Sequence, residues 1–421
     1  MKGFREFTLE NGLRVALLET NIPIFSAQIR IPHGALSELP GEEGYAHFLE
    51  HSLMNGGSEK YTPEQVAKLH SRFASHNAHT SLDHTTYEAS SLPDDFELYL
   101  DLFSDIVFNP RFAQKSVDEE RRRVLREMAD HKSKPDFQDW EKAKAALRGT
   151  GTPWTYQILG DEEAIVRATP EDFKKFHARL YHANNADLIM AGTLPQNAEE
   201  LIRKYLERKQ TGGNASFVFP QPMPLEQKVV LHTSAPDLLN KERPNESSAF
   251  LSIAFQIPSH QNHDFWPLLL ANEILGGDAN SKLFQTLSRR KGLAYGIRSI
   301  INGENNAGYI SVQGKVKAEL IDESIDLIFN EIDHMKKHGI SQEELTRMRR
   351  KVAYEFASVL SNPAACIRAI EKKLDYDWTI ESYLERINSI TPEQVINAIN
   401  KYAPSKDGKY VLLIRNPLKK D

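Results

Sequence analysis

The sequence predicts an α+β protein built from two duplicated halves, and three observations lead there. Strand-like alternating segments and helix-period segments follow one another along all 421 residues. A Thr-Pro-Glu helix start, a tyrosine and an apolar strand occur in that order twice. The first copy is Thr169-Pro170-Glu171, Tyr181 and Ala186 to Ala191; the second is Thr391-Pro392-Glu393, Tyr402 and Tyr410 to Arg415. Between the copies, Arg208 to Pro224 holds Gly212-Gly213, Pro220, Pro222 and Pro224, the composition of a linker. With about 100–200 residues per domain as the norm, the expected division is an N-terminal domain at 1–207, a linker at 208–224 and a C-terminal domain at 225–421.

Each element has its own local reason. Phe4 to Leu18 alternates around Asn11-Gly12, a pair that supplies the positive φ angles of a two-residue hairpin turn. Ile24 to Ile31 reads as a third strand, and a Pro/Gly/Glu connector from Pro32 to Gly44 leads into a helix carrying His47, Glu50 and His51. Thr62 is an N-cap, with Pro63 at the first helical position. Asn77 to Thr80 and His84 to Ser90 read as strands; Pro93 to Val107, Ala113 to Lys132 and Phe137 to Leu147 read as helices.

Composition excludes several function classes. Hydrophobic residues are 40% and charged residues 26%, which is neither collagen-like nor disordered. The net charge is −6, and no basic cluster interleaved with aromatics stands out, so nucleic acid is not an expected partner. The single cysteine, Cys366, permits neither an internal disulfide nor a thiolate metal cage. No apolar run of about 18 residues occurs, so no membrane span is expected. The charged N-terminus lacks a secretory signal, which makes the cytoplasm the expected location.

The most informative stretch is His47-Phe48-Leu49-Glu50-His51. At about 100° per helical residue, its two imidazoles and the carboxylate all point to one side. Two imidazoles one turn apart can share a zinc, and the carboxylate between them can hold the attacking water, which is the inverted zinc-protease order. A carboxylate is the expected third ligand, since Cys366 stands alone and two His with one Glu is a common catalytic set, and the helix from Val117 to Lys132 offers Glu119, Glu120, Glu127 and Asp130. Glu120 and Glu127 lie seven positions apart and share a face, so that one can be a ligand and the other its supporting acid.

Together these residues resemble the pitrilysin-like inverzincin metallopeptidases (family M16). Within it they are most similar to the short-chain branch of the mitochondrial processing peptidase beta subunit and its bacterial relatives. The resemblance runs through Asn11-Gly12-Leu13, Gly44 to His51, Asn77 to Thr80 with Asp83 and Tyr87, Glu120 to Met128, Leu159-Gly160, Thr169 to Asp172 and Tyr181-His182 with Asn185. It resumes at Asn272 to Gly277 and at Lys291-Gly292-Leu293-Ala294-Tyr295. It implies two domains, each an antiparallel-rich sheet covered by helices. It also implies one Zn2+ per chain on His47, His51 and Glu127, the last standing 76 positions after His51. Glu50 is then the general base and Glu120 the supporting acid.

By the same resemblance, Asn77, Ala78, His79 and Thr80 form the edge strand that receives an extended peptide, and Tyr295 contacts substrate from the second half. One feature departs from the pattern: Ser288 occupies the position, seven before Tyr295, where the family carries an arginine. Arg289 and Arg290 are out of register. The second half has no His-x-x-Glu-His and is expected to be metal-free. The resemblance therefore implies a zinc metalloendopeptidase acting on peptides or unfolded segments inside a chamber of four such domains. One chain supplies two, so a homodimer, or a heterodimer with a related subunit, is expected. The alternative is a non-catalytic or partner-dependent subunit of such a complex, against which retention of the whole His47, Glu50, His51 and Glu127 set argues.

Overall fold

A computed structural model describes residues 3–150, 152, 155, 157–213, 221–235 and 247–418. The chain opens on β1 (Phe4–Thr8) and β2 (Arg14–Glu19), paired antiparallel from Phe4↔Leu18 to Thr8↔Arg14. Their connection is wider than the expected two-residue turn. It runs from Leu9 to Leu13, closed by bonds from Leu9 N–H to Leu13 O and from Gly12 N–H to Leu9 O, each 2.9 Å. Gly12 has φ +85°, and a Cβ there would stand 2.7 Å from the Asn184 Cβ, so the position demands glycine.

β3 (Phe25–Ile31) alternates apolar and polar residues, yet all seven are buried. Phe25, Ala27, Ile29 and Ile31 enter the main core, while Ser26, Gln28 and Arg30 face the other side of the sheet. There follow α1 (Tyr45–Asn55), α2 (Pro63–His70), β4 (Ser75–Thr80), β5 (Thr85–Ser91), α3 (Phe96–Phe108), α4 (Gln114–Lys132), α5 (Pro135–Arg148), α6 (Glu162–Arg167), α7 (Pro170–Leu180), β6 (Asp187–Gly192) and α8 (Ala198–Leu206). Thr62 caps α2 and Thr169 caps α7, each in a reciprocal capping box, with Gln65 and Asp172 respectively.

The second half holds β7 (Val229–Ala235), β8 (Ser248–Ile257), α9 (Phe265–Gly276), a π-helical segment Phe284–Arg290, β9 (Ala294–Gly303), β10 (Gly308–Lys317), α10 (Ile321–His338), α11 (Gln342–Val359), α12 (Pro363–Tyr376), α13 (Ile380–Ser389), α14 (Pro392–Tyr402) and β11 (Val411–Pro417). Thr391 caps α14 in a capping box with Gln394, as Thr169 caps α7.

The first sheet has the order β1-β2-β6-β3-β5-β4 and the second β7-β11-β8-β10-β9. Without β1 the two are the same. β6 runs parallel to β2 and antiparallel to β3, as β11 runs parallel to β7 and antiparallel to β8. The architecture is α+β with two duplicated sheet units, as the repeat predicted. Among the described residues no helix is long and apolar enough to cross a membrane.

The compact units do not follow the linear order of the chain. One comprises 1–130, 156–218 and 355–383; the other comprises 131–155, 219–354 and 384–421. Within the first unit, α12 lies on β2, β3 and β6, burying Ala16, Leu18, Ile189, Ala191, Ile367 and Ile370. On the same face Gln28 donates to Glu371 at 2.7 Å, and Arg30 bonds to both Asp187 and Asp375 at 2.6–2.9 Å. In the second unit α5 lies on β7, β8 and β11, packing Ala143 and Leu147 on Ala254, Val411 and Leu413. Each sheet thus has one face covered by a helix from the opposite half of the sequence, which accounts for β3 being buried on both sides. Of the expected linker, 214–220 lie outside the described residues.

Candidate metal centre

α1 is held at its start by an unusual cap. Gly44 at the N-cap has φ +94° and no side chain, and the Glu38 carboxylate accepts from Gly44 N–H at 3.0 Å and from Ala46 N–H at 2.8 Å. From that fixed start the helical period brings His47, Glu50 and His51 to one side, with His47 and Glu50 8% exposed. α4 supplies the acids. Glu127 Oε2 is 3.8 Å from His47 Nε2 and 3.4 Å from His51 Nε2.

These three residues form a metal-capable group, each offering one ligand atom, all within 4.8 Å of one another. Ligands at about 2.0–2.1 Å around a tetrahedral zinc stand roughly 3.3 Å apart, so the observed spacing needs only a small inward adjustment. The donor set fits zinc: two imidazole nitrogens and one carboxylate oxygen, with no thiolate. Three carboxylates, Glu50, Glu120 and Glu127, act electrostatically on His51, an excess of negative charge that a divalent cation would balance. Of the other acids on α4, Glu119 and Asp130 are exposed and Asp118 is bonded to Arg121.

Glu120 is 3% exposed, and its Oε2 lies 3.4 Å from His51 Nδ1. It is itself tied down by Arg123 at 2.9 Å and by the Asn55 amide at 3.2 Å. This orients the His51 ring so that Nε2 faces Glu127. Burial works against the charged form of His51, but the Glu120 hydrogen bond and the nearby carboxylates outweigh it and raise its pKa.

Glu50 accepts a 2.6 Å hydrogen bond from Thr80 Oγ1 on β4. Burial pushes the Glu50 carboxyl above the usual carboxylate range, with the Thr80 bond and His51 pulling part of the way back. The side chain is thus a proton acceptor poised nearer neutrality than a surface glutamate.

β4 is the last strand of its sheet. Ser81 N–H donates to His84 O, and the pairs Thr80↔Thr85, His79↔Thr86 and Ala78↔Tyr87 follow. The alternation of an antiparallel ladder then turns the backbone groups of Ala78 and Thr80 toward the open edge. Thr80 is buried and Ala78 packs against the core; Asn77 and His79 are exposed and project from the opposite face. Thr80 was expected only as a substrate contact, yet its hydroxyl is committed to Glu50. The roles of Thr80, Asn55 and Glu38 were not predicted. All three depend on contacts between elements, and only the Glu120/Arg123 pair, spaced i,i+3, left a local signal.

In the second unit Tyr295 is 68% exposed on β9. Ser288 lies in the π-helical segment, and the neighbouring Arg290 is held by Thr286 and by Glu331 at 3.7 Å. Among the described residues the second half contains no metal-capable group.

Comparisons with known proteins give the chain's family and fold. Residues 14–150 match the family described as Insulinase (Peptidase family M16), and residues 167–352 match the Peptidase M16 inactive domain. An uncharacterized zinc protease, YmxG, of Bacillus subtilis is 24% identical over 419 residues, covering 98% of each chain. An uncharacterized zinc protease of Rickettsia bellii is 27% identical over 418 residues, covering 95% of each. A protease from Helicobacter pylori has the same fold at a TM-score of 0.83 and 21% identity, over 98% of this chain and 99% of that one. A Pseudomonas fluorescens structure described as a peptidase M16 inactive domain reaches 0.84 at 22% identity, over 99% of each.

Proposed function

The chain belongs to peptidase family M16, and from that premise we propose that it is a zinc-dependent endopeptidase that cuts peptides or unfolded segments. The observation that carries the reading is the division of labour on α1. His47 and His51 converge with Glu127, while Glu50, on the same side of the helix, is bonded to Thr80 instead. When bound, a zinc on His47, His51 and Glu127 supplies a Lewis acid for the scissile carbonyl. Glu50 takes the proton of the attacking water on its carboxylate and returns it to the leaving amine. The backbone groups of Ala78 hold the substrate as an added strand beside Glu50, which presents one peptide bond rather than a side chain for attack.

The test is cleavage of a quenched, unstructured peptide by the purified chain, with its zinc content measured in parallel. Wild type should carry one zinc and cleave. Glu50→Gln should keep the zinc and lose about 10²–10⁴-fold in kcat. His47→Ala and Glu127→Gln should lose zinc; full occupancy in either would remove the ligand assignment.

A second reading is favoured by Ser288, which stands where the family resemblance expects an arginine, and by the engagement of Arg290 with Thr286 and Glu331. On that reading a related partner subunit supplies the missing substrate grip. Zinc-loaded chain that is inert alone but active after mixing with such a subunit would select it. Cleavage by the chain alone, accompanied by a homodimer in light scattering, selects the first.

A further inference from the structure

The second unit contains a cavity of about 770 Å3 between α5 and the face of its sheet, a volume suited to a small ligand. Its walls differ in character. Phe137, Trp140 and Phe250 form an apolar side, while Ser252, Ser311 and Gln313 give the floor hydroxyl and amide groups. Arg415, at one end, is neutralised by Asp136 and Asp139. At the other end Arg298 and Lys315 line the cavity, and no carboxylate among the described residues lies within ion-pair distance of either.

The strand geometry brings those cations together. Arg298 pairs with Gln313 and Tyr295 pairs with Lys315, so Gly296 and Ile297 on β9 stand opposite Gly314 alone. In a regular strand, residues three apart such as Tyr295 and Arg298 would point to opposite faces. The extra residue at this bulge puts both on the α5 face with Lys315. Gly296 has φ +73°, and a Cβ on Gly314 would stand 2.8 Å from the Ile297 Cα, so both glycines are needed for the irregularity.

We propose that this cavity binds the free C-terminal carboxylate of a short apolar peptide, with the carboxylate on Arg298 and Lys315 and the apolar side chains against Phe137 and Trp140. The serine and glutamine floor matches peptide N–H and C=O groups and is poorly suited to a bare alkyl chain. The substrate class rests on the peptidase reading, but the site lies within the second unit and needs neither zinc nor Glu50.

The experiment is calorimetric titration of full-length Glu50→Gln protein with N-acetyl-Ala-Phe-Leu as free acid, as C-terminal amide, and with laurate, before and after metal removal. The free acid should bind saturably in both metal states, and the amide at least tenfold more weakly. Arg298→Ala/Lys315→Ala should weaken the free acid to the level of the amide, with an unchanged thermal midpoint. Binding that disappears with the metal would place the peptide at the metal centre and overturn the proposal. It is equally overturned by equal affinity for acid and amide, by tighter binding of laurate than of peptide, or by no saturation at millimolar peptide. None of these outcomes depends on cleavage, so the site and the peptidase activity stand or fall separately.

Discussion

Glu50 and Thr80 together determine how the proposed base is presented. A hydroxyl 2.6 Å from a buried carboxylate fixes its rotamer and favours its charged form. Thr80→Val removes the donor while keeping the shape, and a hydrogen bond to a charged group contributes about 1.5–3 kcal/mol. The expected result is a kcat lower by about tenfold to a hundredfold, with zinc content and KM unchanged and Thr80→Ser restoring activity. Because the bond lowers the Glu50 pKa, its loss moves the acid limb of the kcat/KM profile to higher pH; a limb that stays in place contradicts the assignment. His47, Glu50 and His51 were readable from sequence because one helical turn aligns them. Helical period could pair Glu120 with Glu127 but could not choose between them, and the choice came only with the family resemblance. Distances to the two imidazoles, 3.4 and 3.8 Å for Glu127, give that choice a geometric basis.

The helix that carries His47, Glu50 and His51 depends on a connector that carries no periodic signal. Glu38 closes the N-terminus of α1 from outside the helix, replacing the side chain that Gly44 lacks. Glu38→Ala is expected to cost about 1 kcal/mol, the usual value of a lost cap, and to weaken zinc binding by loosening His47. Thermal unfolding of the metal-free and zinc-loaded protein measures both, and a change confined to the metal-free form would limit Glu38 to folding. The capping boxes at Thr62, Thr169 and Thr391 were legible because their partners lie three residues away. The opening hairpin was only half legible: Asn11-Gly12 marked the turn, but the packing of Gly12 against Asn184 set its width.

The exchange of α5 and α12 determines what can fold alone. A fragment of residues 1–207 lacks α12, which leaves Ala16, Leu18, Ile189 and Ala191 uncovered and Arg30 without Asp375. It also carries α5 without its sheet. Such a fragment is expected to bind a hydrophobic dye and to be digested far faster than the whole chain; a protease-resistant fragment with a cooperative melt would contradict this.

The whole molecule should also be acid-sensitive. Burial lowers the pKa values of His33, His70 and His177 to about 4, from 6.5 in the open chain. Between these values the unfolded chain binds protons that the folded chain does not, so the part of the stability that these three imidazoles govern is complete above about pH 6.5 and is lost as pH falls toward 4. Melting temperatures at constant ionic strength should fall through that interval, and a flat profile would remove these imidazoles as the cause.

The sequence by itself determined what neighbours along the chain decide: the repeat, the capped helices, the strand alternation and the imidazole pair with its carboxylate one turn away. These rest on periods of two and 3.6 residues and on caps spanning three. Tertiary structure alone decided which helix covers which sheet, which hydroxyl holds Glu50, and which face of β9 carries Arg298. Amphipathicity states that a helix must bury one face but does not name the surface that buries it. The partner is selected by packing and charge between segments as distant as Arg30 and Asp375.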